Sequence, residues 1–166
     1  MFGFGRKKLD LNSAVALLMT SFFWDKAIII DSEDLILRTK DFSPSHKGRE
    51  LTDKEKNNFI KHHVHIKYQF LCGALAKSQD MFIYMDVKEL IRKEIHNQRN
   101  IFLDESDCSA YNKAYASKHD IHETVNLFCI NVGFEDTYQL GIDLFTRNFV
   151  KHFKDLNGAM KAIKII

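Results

Sequence analysis

The sequence contains a single proline, Pro44, and only seven glycines among its 166 residues. A β-sandwich or β-barrel of this length needs many tight turns, which are normally built from glycine, proline and Asn-Gly pairs. Their scarcity argues against an all-β fold and favours long helices with few breaks.

Cysteine is scarce as well. The three copies, Cys72, Cys108 and Cys129, form no C-x-x-C pair, so the sequence predicts neither a disulfide framework nor a cysteine zinc site. Cys72 and Cys129 fall within helical patterns, which indicates core thiols in a reducing compartment. Cys108 lies beside Asp107 in a polar stretch that predicts exposure, and an acidic neighbour raises a thiol pKa rather than activating the thiol.

The chain has no clear surplus of charge of either sign, since it contains 24 basic and 22 acidic residues. Nucleic-acid-binding chains usually carry a basic surplus or stripe, so no strong nucleic-acid signal is present. Hydrophobic residues make up 45% and charged residues 28% of the chain, which is typical of a globular domain and excludes general disorder. The length suits one domain.

The longest apolar run, from Ala14 to Trp24, is too short for a membrane span, which needs about 20 apolar residues. It follows the basic residues 6–8 in the manner of a signal peptide, but no small-residue cleavage site comes after it. We therefore expect a buried first helix in a cytoplasmic protein with no transmembrane segment.

Apolar residues recur at helical spacing along most of the chain and predict an all-α bundle of five to seven helices. The predicted loop over 41–51 contains Pro44 and Gly48. Three consecutive isoleucines leave a short strand open as an alternative near 26–30. The predicted helices cover 11–24, 33–40 after Ser32, 52–76, about 80–97, a weakly patterned 108–118, 120–133 and 136–156.

Capping residues support several of these boundaries. Thr52 and Glu55 form a T-x-x-E capping box. Asp10 or Asn12 is the candidate N-cap of the first helix, Ser78 or Asp80 that of the fourth, and Gly133 is predicted to end the sixth. Asn157-Gly158 is predicted to end the last helix. Residues 1–8 are then a flexible basic leader, residues 9–158 a single helical domain, and residues 159–166 an apolar and basic tail.

Histidine is the one residue type in clear excess, with eight copies. Neutral imidazoles bind divalent metals, so clusters of histidines are candidate metal ligands. His62 and His65 stand three residues apart, a spacing that lets both bind one ion from the polar face of their helix. His63 points toward the apolar half. No third ligand is visible nearby, so the alternative is a solvated polar face.

His119, Asp120 and His122 form a second group at the start of a predicted helix. Both histidines lie along the border of its apolar stripe, where helical bundles build metal sites. The alternative is structural, because Asp120 and Glu123 match a D-x-x-E cap. The His-Asp pair is shared with the histidine–aspartate metal phosphohydrolases, but the rest of the chain matches that family poorly, and no family is assigned.

The sequence holds neither a G-x-S-x-G nucleophile elbow nor a phosphate-binding loop. We therefore expect a protein-interaction or regulatory module that binds a protein partner or forms a homodimer, with no cofactor. One alternative is a metal-dependent hydrolase that holds a divalent metal at His119, Asp120 and His122, with His62 and His65 as further ligands. Another is a peripheral membrane or nucleic-acid contact through the basic ends.

Overall fold

The computed structural model of the chain describes residues 6–101, 104–118 and 121–166. Within these residues the chain forms seven α-helices, which confirms the predicted all-α fold. The helices are α1 (Leu11–Leu18), α2 (Asp25–Thr39), α3 (Asp53–Ser78), α4 (Met81–Arg99), α5 (Glu105–Lys118), α6 (Ile121–Val132) and α7 (Gln139–Ala162). A π-helical turn covers Met19–Phe23, a 3-10 turn covers Lys40–Phe42, and the strands β1 (Lys7–Leu9) and β2 (Ile163–Ile165) pair in parallel.

Helix α3 lies at the centre of the fold and packs against α2, α4, α5, α6 and α7. The predicted capping box fixes its start. The Thr52 hydroxyl accepts a hydrogen bond from the Glu55 N–H, and the Glu55 carboxylate accepts one from the Thr52 N–H. Because neighbouring helices surround the middle of α3, every residue from His62 to Tyr68 is buried.

Five phenylalanines fill the core on one side of α3. Phe59 and Phe128 meet edge to face with ring centroids 5.0 Å apart, and Phe128 meets Phe149 in the same way at 5.1 Å. Phe134 and Phe145 complete the cluster at 5.9 Å. Each fully buried phenylalanine contributes about 1.5–3 kcal/mol, and each edge-to-face pair adds about 0.5–1.5 kcal/mol. These contacts hold α6 and α7 against α3.

Helix α2 corrects two predictions. The alternative of a strand near 26–30 is wrong, because these residues lie inside α2. A strand would place Ile28 and Ile30 on one face, yet Ile28 is buried and Ile30 is exposed. Ser32 does not start a helix over 33–40. It lies fully buried within α2, where it faces the central helix.

The two ends of the chain are joined in the fold. The predicted end of the last helix at Asn157-Gly158 is wrong, since α7 continues to Ala162. Burial of Met160 and of Ile163 outweighs the cost of a helical glycine, which is about 1 kcal/mol. Strand β2 then pairs with β1, so Lys7 and Lys8 of the predicted leader belong to a strand. The division into leader, domain and tail otherwise stays a prediction.

The stretch Leu11–Phe42 is long and apolar enough, by length and composition, to cross a membrane, and it is the one such stretch in the part of the chain that the structure describes. Of its most apolar 18-residue window, 35% is buried inside the fold. Core helices meet the same criterion, and Ala14, Leu18 and Phe23 lie in the core.

A substitution at Gly141 in α7 tests how closely the loop at 41–51 packs against this helix. A Cβ atom at this position would lie 2.9 Å from Phe42 Cβ and would also collide with the Thr137 methyl group. We expect Gly141→Ala to lower the free energy of unfolding by about 1–3 kcal/mol, because the Phe42 Cβ atom is fixed by the backbone. Urea denaturation measures the change.

Gly73 provides the matched control, since it is an exposed glycine inside α3 with no atom near its missing Cβ. Gly73→Ala should raise the free energy of unfolding by about 0.5–1 kcal/mol through helix propensity alone. Equal effects of the two substitutions would show that the loop is not packed tightly against Gly141.

Candidate functional site

Helices α3 and α5 bring three potential metal ligands together. His62 and His65 project from the same face of α3, because residues three apart are neighbours on a helix. Asp107, in the first turn of α5, faces them. One ring nitrogen of each histidine and one carboxylate oxygen of Asp107 lie within 4.8 Å of one another. We refer to these residues as the His62–His65–Asp107 cluster.

A hydrogen-bond chain orients His62. The Asn131 side-chain amide donates to the Tyr111 hydroxyl oxygen over 3.1 Å, and the same hydroxyl lies 2.9 Å from His62 Nδ1. Since the amide can only donate, the tyrosine proton is available for Nδ1. In the neutral ring the proton of His62 then resides on Nε2.

His65 is fully buried, and its two ring nitrogens differ sharply. Nε2 accepts the backbone N–H of Asp104 over 3.1 Å, which places the proton of the neutral ring on Nδ1. Nδ1 is buried without a hydrogen-bond partner among the described residues. An unsatisfied buried polar atom costs about 1–3 kcal/mol, so this nitrogen marks a place where a ligand or acceptor would stabilise the structure.

The electrostatics of the cluster favour neutral imidazoles. Burial lowers the pKa of His62, and the nearby Asp107 carboxylate only partly offsets this effect. Burial, with the neighbouring His62, lowers the pKa of His65 to about 4. The Lys61 ammonium lies 3.7 Å from the Asp107 carboxylate. At neutral pH the histidines are therefore in the form that binds metal ions.

A cleft of about 910 Å³ lies near the cluster, although none of the cluster's three residues is in its lining. It lies between the first turns of α3 and the end of α4, and Lys61 both lines it and contacts Asp107. Lys54 and Arg99 add positive charge to the lining, whereas Glu55 is held by Arg49 through two short hydrogen bonds of 2.7 and 3.0 Å. The cleft is thus suited to an anionic group.

The structure revises the sequence-based picture of these residues. The prediction that His62 and His65 lie on a solvated polar face is wrong, because α5 packs over that face and buries both. Asp107 was not among the predicted ligands, since it lies outside the predicted helices at 80–97 and 108–118. His119 and Asp120 lie outside the described residues. His122 is exposed on α6 and does not join the cluster.

A second buried polar group lies between α2, α3 and α7. His63, which the sequence correctly places toward the core, accepts a hydrogen bond at Nδ1 from the Ser32 hydroxyl over 2.9 Å. Its Nε2–H donates to the side-chain amide oxygen Oδ1 of Asn148 over 3.2 Å. The His152 ring lies 5.3 Å from the His63 ring, and its buried Nε2 has no hydrogen-bond partner among the described residues.

A buried ion pair accompanies these histidines. The Lys67 ammonium, which is almost fully buried, donates to the half-buried Asp31 carboxylate over 2.6 Å. Burial lowers the pKa of His152, and the Lys67 charge lowers it further. Both effects disfavour the protonated imidazole, so His152 is neutral at physiological pH.

In the loop at 41–51 a serine contacts both a histidine and Asp136, which lies between α6 and α7, but the three residues are not arranged as a catalytic triad. The Ser43 hydroxyl donates to the Asp136 carboxylate and accepts from His46 Nδ1, which lies 2.8 Å away. In a nucleophilic triad the histidine stands between the other two residues. His46 is instead stacked on Phe134 with ring centroids 4.1 Å apart, so the group anchors the loop.

The three thiols offer no nucleophile. Cys72, Cys108 and Cys129 are all free and buried, so the predicted exposure of Cys108 is wrong. Burial raises the pKa of Cys72 and of Cys129 to about 12, and it raises the pKa of Cys108 in the same direction. A thiolate is the reactive species, and none forms at neutral pH.

Comparison with known proteins adds no assignment. No protein-family model, curated protein or solved structure matches the chain. The His62–His65–Asp107 cluster and the exposed surfaces of the fold are therefore the features that bear on function.

The neutral state of His152 predicts a pH dependence of stability. An unfolded histidine titrates near pH 6.5, whereas the folded one has a lower pKa. As the pH falls below about 6.5, the unfolded chain gains a proton that the folded chain does not bind. This residue should therefore cost up to about 1.4 kcal/mol of stability per pH unit below that value, and no such loss occurs above it.

Urea denaturation between about pH 5 and pH 7.5 measures this slope. Between pH 6.5 and 5, we expect the free energy of unfolding of His152→Leu to fall less steeply with decreasing pH than that of the wild type. The difference in slope corresponds to at most one bound proton, or about 1.4 kcal/mol per pH unit. Leu37→Ser, which changes an exposed side chain with no titratable group, provides the control and should leave the slope unchanged. An identical slope in the wild type and in His152→Leu would show that His152 is protonated in the folded protein.

Proposed function

We propose that the chain binds a divalent transition-metal ion, with Zn²⁺ as the representative, at the His62–His65–Asp107 cluster. The observation that carries the proposal is the convergence of two imidazoles and a carboxylate within 4.8 Å. Histidine nitrogen and carboxylate oxygen are common Zn²⁺ ligands.

The surrounding hydrogen bonds define how the ion would be held. His62 can ligate through Nε2 once its ring proton moves to Nδ1. Nδ1–H would then donate to the Tyr111 oxygen, in place of the present donation from Tyr111 to Nδ1, and such a contact orients metal-bound histidines. His65 is constrained differently. Ligation at Nε2 displaces the Asp104 N–H, and ligation at Nδ1 moves the ring proton to Nε2, where it opposes the same N–H. Binding through either nitrogen therefore breaks the hydrogen bond from Asp104.

This arrangement supports the hydrolase alternative over other metal functions. Three protein ligands leave a coordination position for water, which is the feature that distinguishes catalytic from structural zinc sites. The nearby cleft, with Lys54, Lys61 and Arg99 in its lining, provides positive charge for an anionic substrate group. The reaction class that fits is metal-assisted hydrolysis.

Calorimetric titration of tag-free protein with Zn²⁺ tests the metal site. We expect about one ion per chain, and we expect His62→Ala, His65→Ala and Asp107→Asn each to weaken binding by more than about 100-fold, since each removes a direct ligand. The amide signal of Asp104 in a ¹⁵N-correlated NMR spectrum should shift on loading, because its hydrogen bond to His65 is lost.

His122→Ala distinguishes this centre from the one predicted from sequence. The substitution should leave Zn²⁺ affinity unchanged if the His62–His65–Asp107 cluster is the site. Loss of binding in His122→Ala, with retention in His62→Ala, would place the metal at His119, Asp120 and His122 instead. Absence of binding by the wild type would leave the cluster as a structural contact between α3 and α5.

A second candidate function, the protein-interaction module, is supported by a different surface. Tyr138 and Leu140 are 61% and 62% exposed beside the anchored loop at 41–51, where the Tyr138 N–H donates to the Phe42 carbonyl over 2.8 Å. A rigid loop next to exposed apolar side chains is a suitable contact for a second copy of the chain. The cytoplasmic location likewise stays a prediction, supported by three free buried thiols.

Light scattering after size-exclusion chromatography tests self-association. The wild type should give a mass near twice the monomer mass of 19.4 kDa, and the double substitution Tyr138→Ser, Leu140→Ser should give the monomer mass. Leu37→Ser, which changes an equally exposed residue on α2, is the control. A wild-type monomer at every concentration would contradict the homodimer.

A further inference from the structure

The parallel pairing of β1 with β2 gathers basic residues from both ends of the chain at one place. The register sets Lys8 directly beside Lys164, and both side chains are exposed. The alternate residues Ile163 and Ile165 are buried beneath them. Together with the neighbouring exposed residues, these lysines form what we call the basic edge, which consists of Arg6, Lys7, Lys8, Lys161 and Lys164.

The first turn of helix α4, which carries exposed apolar side chains, lies next to the basic edge. The Gln79 side chain pairs with the outer edge of β2, accepting from the Ile165 N–H over 3.3 Å and donating to the Ile163 carbonyl over 3.5 Å. Helix α4 starts two residues later. Its first turn presents Met81 and Phe82, which are 69% and 84% exposed.

Exposed apolar side chains continue into the second turn of α4. Met85 is 52% exposed and lies one helical turn after Met81. We refer to Met81, Phe82 and Met85 as the apolar turn. Large side chains exposed side by side at this level mark contact sites.

The charges of the basic edge are not neutralised within the fold. None of its five cations forms an ion pair with a carboxylate in the described parts of the chain, whereas Arg38, Lys93 and Lys151, for example, each pair with an acidic residue of their own helix. Two lysines directly opposite each other on paired strands repel. The edge is therefore complementary to a surface that supplies negative charge.

We propose that the basic edge and the apolar turn together dock the protein onto an anionic lipid bilayer. The bilayer interface is the surface that meets both requirements, since acyl chains receive exposed apolar side chains while anionic headgroups attract lysine and arginine. Nucleic acid would satisfy the cations but would leave the three apolar side chains of α4 in water. The docked chain lies on the membrane with the β1–β2 pair against the headgroups.

Co-sedimentation with vesicles tests the proposal on the full chain. Vesicles of phosphatidylcholine with about 30% phosphatidylserine should bind the protein at low ionic strength, and vesicles of pure phosphatidylcholine should bind it at least about tenfold more weakly. Raising the salt concentration to about 0.5 M should release it, because exposed charges are then screened. No sedimentation with the anionic vesicles at low salt overturns the proposal.

Substitutions separate the two parts of the surface. Lys8→Gln with Lys164→Gln should weaken binding roughly 30-fold, as expected for two headgroup contacts, and Phe82→Ser should weaken it roughly tenfold through lost apolar burial. Lys113→Gln with Lys154→Gln is the charge-matched control on α5 and α7, and Leu37→Ser is the apolar control. Both controls should bind like the wild type.

A nucleic-acid partner has a distinct outcome. A fluorescent DNA or RNA duplex that binds with the same dependence on Lys8 and Lys164, with no dependence on Phe82, would replace the lipid proposal. Equal vesicle binding by the lysine variants and by their control would also overturn it, because the attraction would then be nonspecific. Circular dichroism of each variant verifies that the fold is retained.

Discussion

The fold depends on burying the polar middle of α3. Between His62 and Tyr68 the central helix carries three histidines and one lysine, and all of them are covered by neighbouring helices. A buried polar group without a partner costs about 1–3 kcal/mol, so each of these side chains requires a partner from the helix that covers it. Tyr111 of α5, Asp31 of α2 and Asn148 of α7 serve this purpose.

The same burial gives the cluster its chemical character. A histidine in water is partly protonated near neutral pH, whereas burial favours the neutral rings of His62 and His65. The hydrogen bonds from Tyr111 and Asp104 occupy the lone pair of each ring and fix which nitrogen carries the proton. A metal ion bound as we propose would therefore have to compete with the Asp104 amide for His65.

Local signals in the sequence predicted several helix boundaries correctly, although one predicted start in α2 and one predicted end in α7 were wrong, and they did not reveal long-range contacts. The capping box at Thr52 and Glu55 and the positive φ of Gly133 depend on residues only a few positions apart, and such interactions are visible in sequence. The burial of His62 depends on α5, whose weak apolar pattern does not reveal which helix it covers. The sequence does not identify Asp107 as a member of the cluster, because His62 lies 45 positions earlier in the chain and no local pattern connects the two residues.

The pairing of β1 with β2 also has a consequence for folding. It closes a loop of about 150 residues, and closing such a loop costs about 4 kcal/mol of chain entropy. Two three-residue strands cannot offset that cost alone, so they pair after the helices have brought the two ends close together. During synthesis β1 must wait for nearly the whole chain before its partner strand exists.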